Sequence, residues 1–269
     1  MLDAELARWP VTAAVGVTDA TSVLAVAGPA DRPFRWASVT KLLTATAILV
    51  SAEEGTLDLD SAAGPPGSTL RHLLAHASGL ARDDDRVLAA PGTRRLYSNR
   101  GIEVAAQMLE QAAGMPFGDY LDEGVLQPLG MTATRLDGSP ASGGCGPLKD
   151  LLRLGGELLA PTLLSGPALA AATSVAFPHL DGILPGFGYQ HPNDWGLGFE
   201  IRDGKNPHWT GATNSAATFG HFGLSGAFLW VDPVAGLSCA GVAGDDFGPW
   251  AATAWPALSD VVLAEYRRP

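Results

Sequence analysis

Apolar and polar positions along this chain change rhythm twice. Val11–Val17 and Ser22–Ala27 are short β-rich runs separated by Thr18-Asp19-Ala20-Thr21, a pattern that predicts a hairpin. Leu42 to Glu53 then runs without Gly or Pro. Its Leu42, Leu43, Ala45, Ala47, Ile48, Leu49 and Val50 leave almost no polar side, so a helix here belongs in the interior. From Asp58 to about His191 the pattern becomes helices joined by Gly/Pro-rich loops. Ile102, Ala105, Ala106, Leu109 and Ala113 predict a helix over 101–113 with Gly114 as its C-cap, and a second helix spans 148–159. Strand patterns return from Trp195 onward, in Leu197–Ile201, Ala227–Val231 and Leu237–Val242, with a turn at Asp232–Gly236. A helix over about 250–266 closes the chain. The expected fold is α+β, a single domain with one antiparallel sheet built from both ends of the chain. An α/β lobe (1–57 and 193–269) would frame an inserted, mainly helical lobe (58–192).

Composition adds limits to this picture. A chain of 269 residues, 46% hydrophobic and 17% charged, reads as a soluble globular protein with an ample core. A formal charge of -11 argues against nucleic acid or anionic membrane surfaces as partners. No apolar run is long enough to span a bilayer, and Met1–Pro10 has no basic stretch leading into an apolar core, so a cytoplasmic location is expected. Cys145 and Cys239 match no metal-ligand spacing and read as reduced thiols.

The candidate chemistry begins at Ser38 and Lys41. Three residues apart at the head of a helix, they share one face. The chain holds only three lysines against fourteen arginines, and of the two types only lysine can cycle through a neutral, proton-accepting form. Tyr97-Ser98-Asn99 sits in a loop just before a helix. A tyrosine beside a lysine ammonium is expected to lose its proton more easily and to serve as a base, and the Asn99 amide can orient the lysine or a substrate carbonyl. Gly220-His221-Phe222-Gly223 reads as a strand edge where a substrate backbone can approach closely.

In this order, the three elements resemble the serine hydrolases of the class C β-lactamase type, a superfamily that also holds penicillin-binding DD-peptidases, D-aminopeptidases and esterases. Leu70–Leu80 is similar to its LLTHTSGL segment, Pro91–Asn99 to PGTRFxYSN, Leu126–Met131 to PLGM and Ala141–Gly144 to ASGG, in collinear order over residues 15–245. The resemblance implies the β-lactamase/transpeptidase-like fold. It also implies a Ser38 nucleophile activated by Lys41 and Tyr97, and an oxyanion hole made by the N–H groups of Ser38 and Leu224. No metal or cofactor is implied, and His72 and His76 would hold a loop of the helical lobe.

One departure matters. β-Lactamases carry Lys-Thr-Gly where this chain has His221-Phe222-Gly223. Beyond Arg202 the remaining cations are Lys205, Arg267 and Arg268. Both usual anchors for an anionic β-lactam are therefore missing. The wall left by Phe222 and Leu224, with Trp195, Trp209 and Phe228 expected nearby, suits an uncharged acyl group. The sequence thus predicts a hydrolase of small esters or amides. A weak β-lactamase or D-aminopeptidase, and a non-catalytic binding protein that has kept the fold, remain as alternatives.

Overall fold

The structure is a computed structural model and describes residues 1–267; Arg268, one of the cations noted above, lies outside them. The chain opens with α1 (Leu2–Leu6) and the predicted hairpin of β1 (Ala13–Thr18) and β2 (Val23–Ala27). It continues through β3 (Pro33–Arg35) and a 3-10 turn, Ala37–Val39, into α2 (Thr40–Glu53). Next come α3 (Leu70–Leu74), α4 (Asn99–Ala113), α5 (Phe117–Leu121), β4 (Arg135–Leu136), β5 (Gly144–Pro147), α6 (Leu148–Leu159) and α7 (Gly166–Ala172). A small hairpin, β6 (Gly182–Leu184) and β7 (Gly188–Gln190), precedes β8 (Glu200–Ile201), β9 (Phe219–Gly223), β10 (Ala227–Asp232), β11 (Leu237–Ala243) and α8 (Pro249–Tyr266).

The main sheet has the order β2-β1-β11-β10-β9-β8, so the two ends of the chain meet where β1 pairs antiparallel with β11. Helices cover both of its faces, which explains why β1, β10 and β11 read as nearly unbroken apolar runs: every residue in them is buried. On one face Ala14, Leu229, Ala240 and Val242 join a core with α2 and α6. On the other, Val15, Val17, Phe228, Trp230 and Cys239 meet Trp255, Leu258 and Val262 of α8.

Two expectations change. α6 lies within the stretch assigned to the helical lobe, yet it rests on β1, β10 and β11. Small residues allow that contact, because a Cβ at Gly155 would strike Ser238 and one at Gly16 would strike Leu152. The strand expected over 197–201 shrinks to Glu200–Ile201. Gly198 turns with φ +89 and passes so close to Ala45 of α2 that a side chain there would collide, which breaks the extended run.

The short β8 has a consequence for the site. It pairs only with Phe219 and Gly220 of β9, so His221, Phe222 and Gly223 lie on an open edge beside the start of α2, as the glycine pattern suggested.

Candidate functional site

Ser38 stands in the 3-10 turn rather than inside α2. Ala37 before it takes φ +43, a left-handed conformation rare for a residue with a Cβ. Val39 N–H donates to the Trp36 carbonyl, 3.1 Å, and Thr40 Oγ1 accepts from Gly144 N–H, 2.8 Å, fixing the turn to β5. Lys41 follows in the first turn of α2 and is completely buried. Its Nζ lies 3.2 Å from Ser38 Oγ, 2.7 Å from Asn99 Oδ1 and 2.8 Å from the Ala141 carbonyl.

Tyr97 and Asn99 reach this point through the cap of α4. Ser98 is the N-cap: its Oγ accepts from Gly101 N–H, 2.9 Å, and donates to the Ala81 carbonyl, 2.7 Å. Tyr97 O–H then donates to Ser38 Oγ at 2.8 Å, and Lys41 Nζ sits 4.8 Å from the Tyr97 ring centroid. Asn99 Nδ2 donates to Asp83 Oδ1, 2.6 Å, which turns its carbonyl toward the lysine. Ser38 Oγ therefore has Lys41 beside it, as the i, i+3 spacing suggested, and Tyr97 as well, which the resemblance implied.

Burial sets the protonation states, and here the structure corrects the sequence. Burial first, then the nearby positive charge of Arg82, lowers Lys41 from 10.5 to about 7, against opposing contributions from Asp83 and Glu103. Tyr97 moves the other way: burial raises it well above its ordinary value, and the Ser38 hydrogen bond only partly offsets this. The expected easily ionised tyrosine is absent. The readily deprotonated member of the cluster is the lysine.

The two buried histidines beside Tyr97, His76 and His221, are neutral and differ in tautomer. Ser98 N–H donates to His76 Nδ1, 3.2 Å, so the His76 proton sits on Nε2. His221 Nδ1 lies 2.7 Å from the Phe222 carbonyl, which only accepts, so His221 keeps its proton on Nδ1 and a lone pair on Nε2. Burial, then the charge of Lys41, holds His221 down to about 3. Both rings flank Tyr97 and Trp195, His76 at 4.6 Å from each. His72 has a smaller part: it accepts from Thr69 N–H at the start of α3 and stacks on Phe177, 4.1 Å.

Gly223 passes directly under the turn that carries Ser38. A Cβ there would run into the Trp36 carbonyl oxygen and press on Ser38 N. Leu224, next in line, is exposed on the lip of the cleft, whereas Phe222 is buried among Phe187, Phe247, Trp209 and Trp255. A cleft of about 600 Å³ opens beside Ser38, Tyr97 and His221. Trp195, Phe222 and Leu224 line it as expected, but Trp209 and Phe228 stay behind it in the core. Lys205 is no anchor either. It is buried and donates to Glu200 and to the carbonyls of Asp194 and Ile201. Sequence reasoning missed the Ala141 carbonyl, Asp83, Arg82 and Arg94. Ala141 was visible within the Ala141–Gly144 segment, but nothing in it showed which atom faces Lys41.

The family model described as Beta-lactamase matches residues 7–262. A D-alanyl-D-alanine-carboxypeptidase/endopeptidase, AmpH, of Escherichia coli (strain K12) is 29% identical over 147 residues, 41% of this chain and 38% of that protein. Penicillin-binding protein 4* of Bacillus subtilis (strain 168) is 30% identical over 136 residues, 38% of this chain and 30% of the relative. The match thus spans well under half the length of either relative. A solved structure described as a beta-lactamase from Mycobacterium bovis is 55% identical, covers 98% of both chains and superposes with a TM-score of 0.97.

Proposed function

The chain belongs to the beta-lactamase family, and from that premise we propose that it is a serine hydrolase of small esters or amides, acting through an acyl-enzyme on Ser38. One observation carries the reading: Lys41 Nζ and Tyr97 O–H converge on Ser38 Oγ at 3.2 and 2.8 Å. With Lys41 neutral, its two N–H bonds go to Asn99 and Ala141 and its lone pair takes the Ser38 proton as Oγ attacks the carbonyl carbon. The N–H groups of Ser38 and Leu224 hold the carbonyl oxygen as it gains charge. Tyr97 stays protonated and hands its proton to the departing oxygen or nitrogen, and Lys41 restores it. Water then attacks the acyl carbonyl and gives a proton to Lys41, which returns it to Ser38 Oγ as the acid departs.

Wild type should hydrolyse p-nitrophenyl butyrate with a kcat/KM at least about 10³-fold above Ser38→Ala, in line with the loss of a covalent nucleophile. A fluorophosphonate should label Ser38. Equal rates for the two proteins, with no label on Ser38, would leave a binding protein that has kept the fold.

A second reading has two supports: β-lactamase activity is favoured by the 55% identity to a Mycobacterium bovis structure described as a beta-lactamase, and peptidase activity on D-amino-acid substrates by the 29% identity to AmpH. Against it stands the third motif, where a neutral, buried His221 and the ring of Phe222 offer no cation for a carboxylate beside the reacting bond. Nitrocefin should be turned over at least about 100-fold less efficiently than the butyrate ester, the scale expected when a buried ion pair to substrate is missing. Ser38-dependent nitrocefin turnover equal to that of the ester would put the second reading first.

A further inference from the structure

The charged groups along the cleft divide into engaged and free ones. The Glu200 carboxylate is saturated by Lys205, by His208 Nε2 at 3.0 Å and by Trp209 Nε1 at 2.9 Å. The Arg95 guanidinium is spent on four main-chain carbonyls. Arg82 and Arg94 remain, and both line the cleft. Arg94 is exposed and has neither a hydrogen bond nor an ion pair among the described residues. Among the described residues the Arg82 guanidinium has only a loose contact, Nε to Asp83 Oδ2 at 3.5 Å, and its side chain is 57% exposed.

The neighbouring acidic run does not reach Arg94. Asp83 stands between Asn99 Nδ2, 2.6 Å, and Arg82 Nε, 3.5 Å, while Asp84 and Asp85 pair with Arg86 and Arg100. The remaining walls are apolar, among them Leu80, Leu88, Ile183, Pro185 and Phe247. So in a protein of net charge -11, the free charge at this cleft is positive. It also lies on segments other than the third motif, where a β-lactam carboxylate would be sought.

We infer that the substrates are amphipathic acyl compounds, uncharged around the scissile carbonyl and carrying a carboxylate several methylenes away that is bound by Arg94 with support from Arg82. A guanidinium fork without a partner matches a carboxylate bidentately, and an apolar cleft sharpens the attraction by excluding water. The inference rests on the hydrolase reading.

A matched pair of esters tests it: p-nitrophenyl hexanoate and the mono-p-nitrophenyl ester of adipic acid, which differ only in the terminal carboxylate. In wild type the adipate ester should have the lower KM by roughly five- to tenfold at low salt, and by less at 0.5 M NaCl, where surface charges are screened. In Arg94→Gln the ratio of the two KM values should fall toward one, and Arg94→Lys should keep part of it. Equal KM values in wild type, or a ratio unchanged in Arg94→Gln, would overturn the inference. If neither ester shows Ser38-dependent turnover, the hydrolase reading fails instead. Calorimetric binding of adipamate against hexanamide, in wild type and Arg94→Gln, then decides the anion site by the same ratio.

Discussion

Lys41→Met should leave a folded protein whose kcat/KM for a p-nitrophenyl ester is lower by about 10³-fold or more, the upper part of the range for a lost general base. Methionine nearly matches the lysine stem in volume, so the fully buried slot stays filled. What it lacks is a group that can take the Ser38 proton. The pH dependence separates this from a steric effect. Because burial lowers Lys41 to about 7, wild-type kcat/KM should rise as pH increases through that value. Tyr97, raised by burial, should impose no further limb below pH 10. In Lys41→Met the inflection should vanish with the activity. Stability should follow the same group. Between about 7 and 10.5 the unfolded chain holds a proton on Lys41 that the folded chain has released, so this residue makes stability rise with pH in that window. Below it the full cost of burying an ammonium remains. Melting curves at pH 6 and pH 9 should therefore favour the methionine variant more at the lower pH. A variant keeping more than about a tenth of wild-type activity would exclude Lys41 as the base, since base catalysis contributes at least about 10²-fold.

The sheet was legible because burial on both faces leaves unbroken apolar runs in β1, β10 and β11. α2 was legible because Thr40–Ser51 is buried all round, and its polar Thr46 and Ser51 bond back to the carbonyls of Leu42 and Ile48. Ser38 and Lys41 were visible from spacing, since three residues at a helix start fix their relation locally. The long-range facts were not. Sequence suggested that a lysine ammonium would ease the ionisation of Tyr97. In the folded chain the cost of burial exceeds that attraction and pushes the proton off Lys41 instead. The break at Gly198 depends on its approach to Ala45, more than 150 residues earlier in the chain. Arg82 and Arg94 belong to segments on either side of a loop, and only folding brings them to the rim of the cleft that Ser38 and His221 also line.

Arg95→Ala should cost on the order of 4 kcal/mol or more and lower the melting temperature by about 10 °C or more. Arg95 is 1% exposed, and it ties together parts of the chain that no regular element joins. Its backbone N–H donates to the Asp181 carbonyl, 2.9 Å. Nε donates to the Asn193 carbonyl at 3.0 Å and Nη1 to that of Ala75 at 2.6 Å, while Nη2 serves Ala176 at 2.8 Å and Phe177 at 3.0 Å. Alanine would keep the backbone bond to Asp181 but leave the other four carbonyls without their donor, and each buried acceptor left unpaired costs roughly 1–3 kcal/mol. Arg95→Lys should recover only part of the loss, because one ammonium cannot reproduce the spread of a planar guanidinium over four acceptors. The effect should reach the active site as well. Tyr97 lies two residues further on, and the same loop is held on its other side by His76, whose Nδ1 accepts from Ser98 N–H. At a temperature where Arg95→Ala is still folded, its kcat should drop more than its KM rises, because Tyr97 would be less well held against Ser38. Loss of total stability is equally in reach, since domains of this kind have only about 5–15 kcal/mol in all. A variant that melts within about 2 °C of wild type, a shift worth under about 1 kcal/mol, would show that water replaces the guanidinium at no cost.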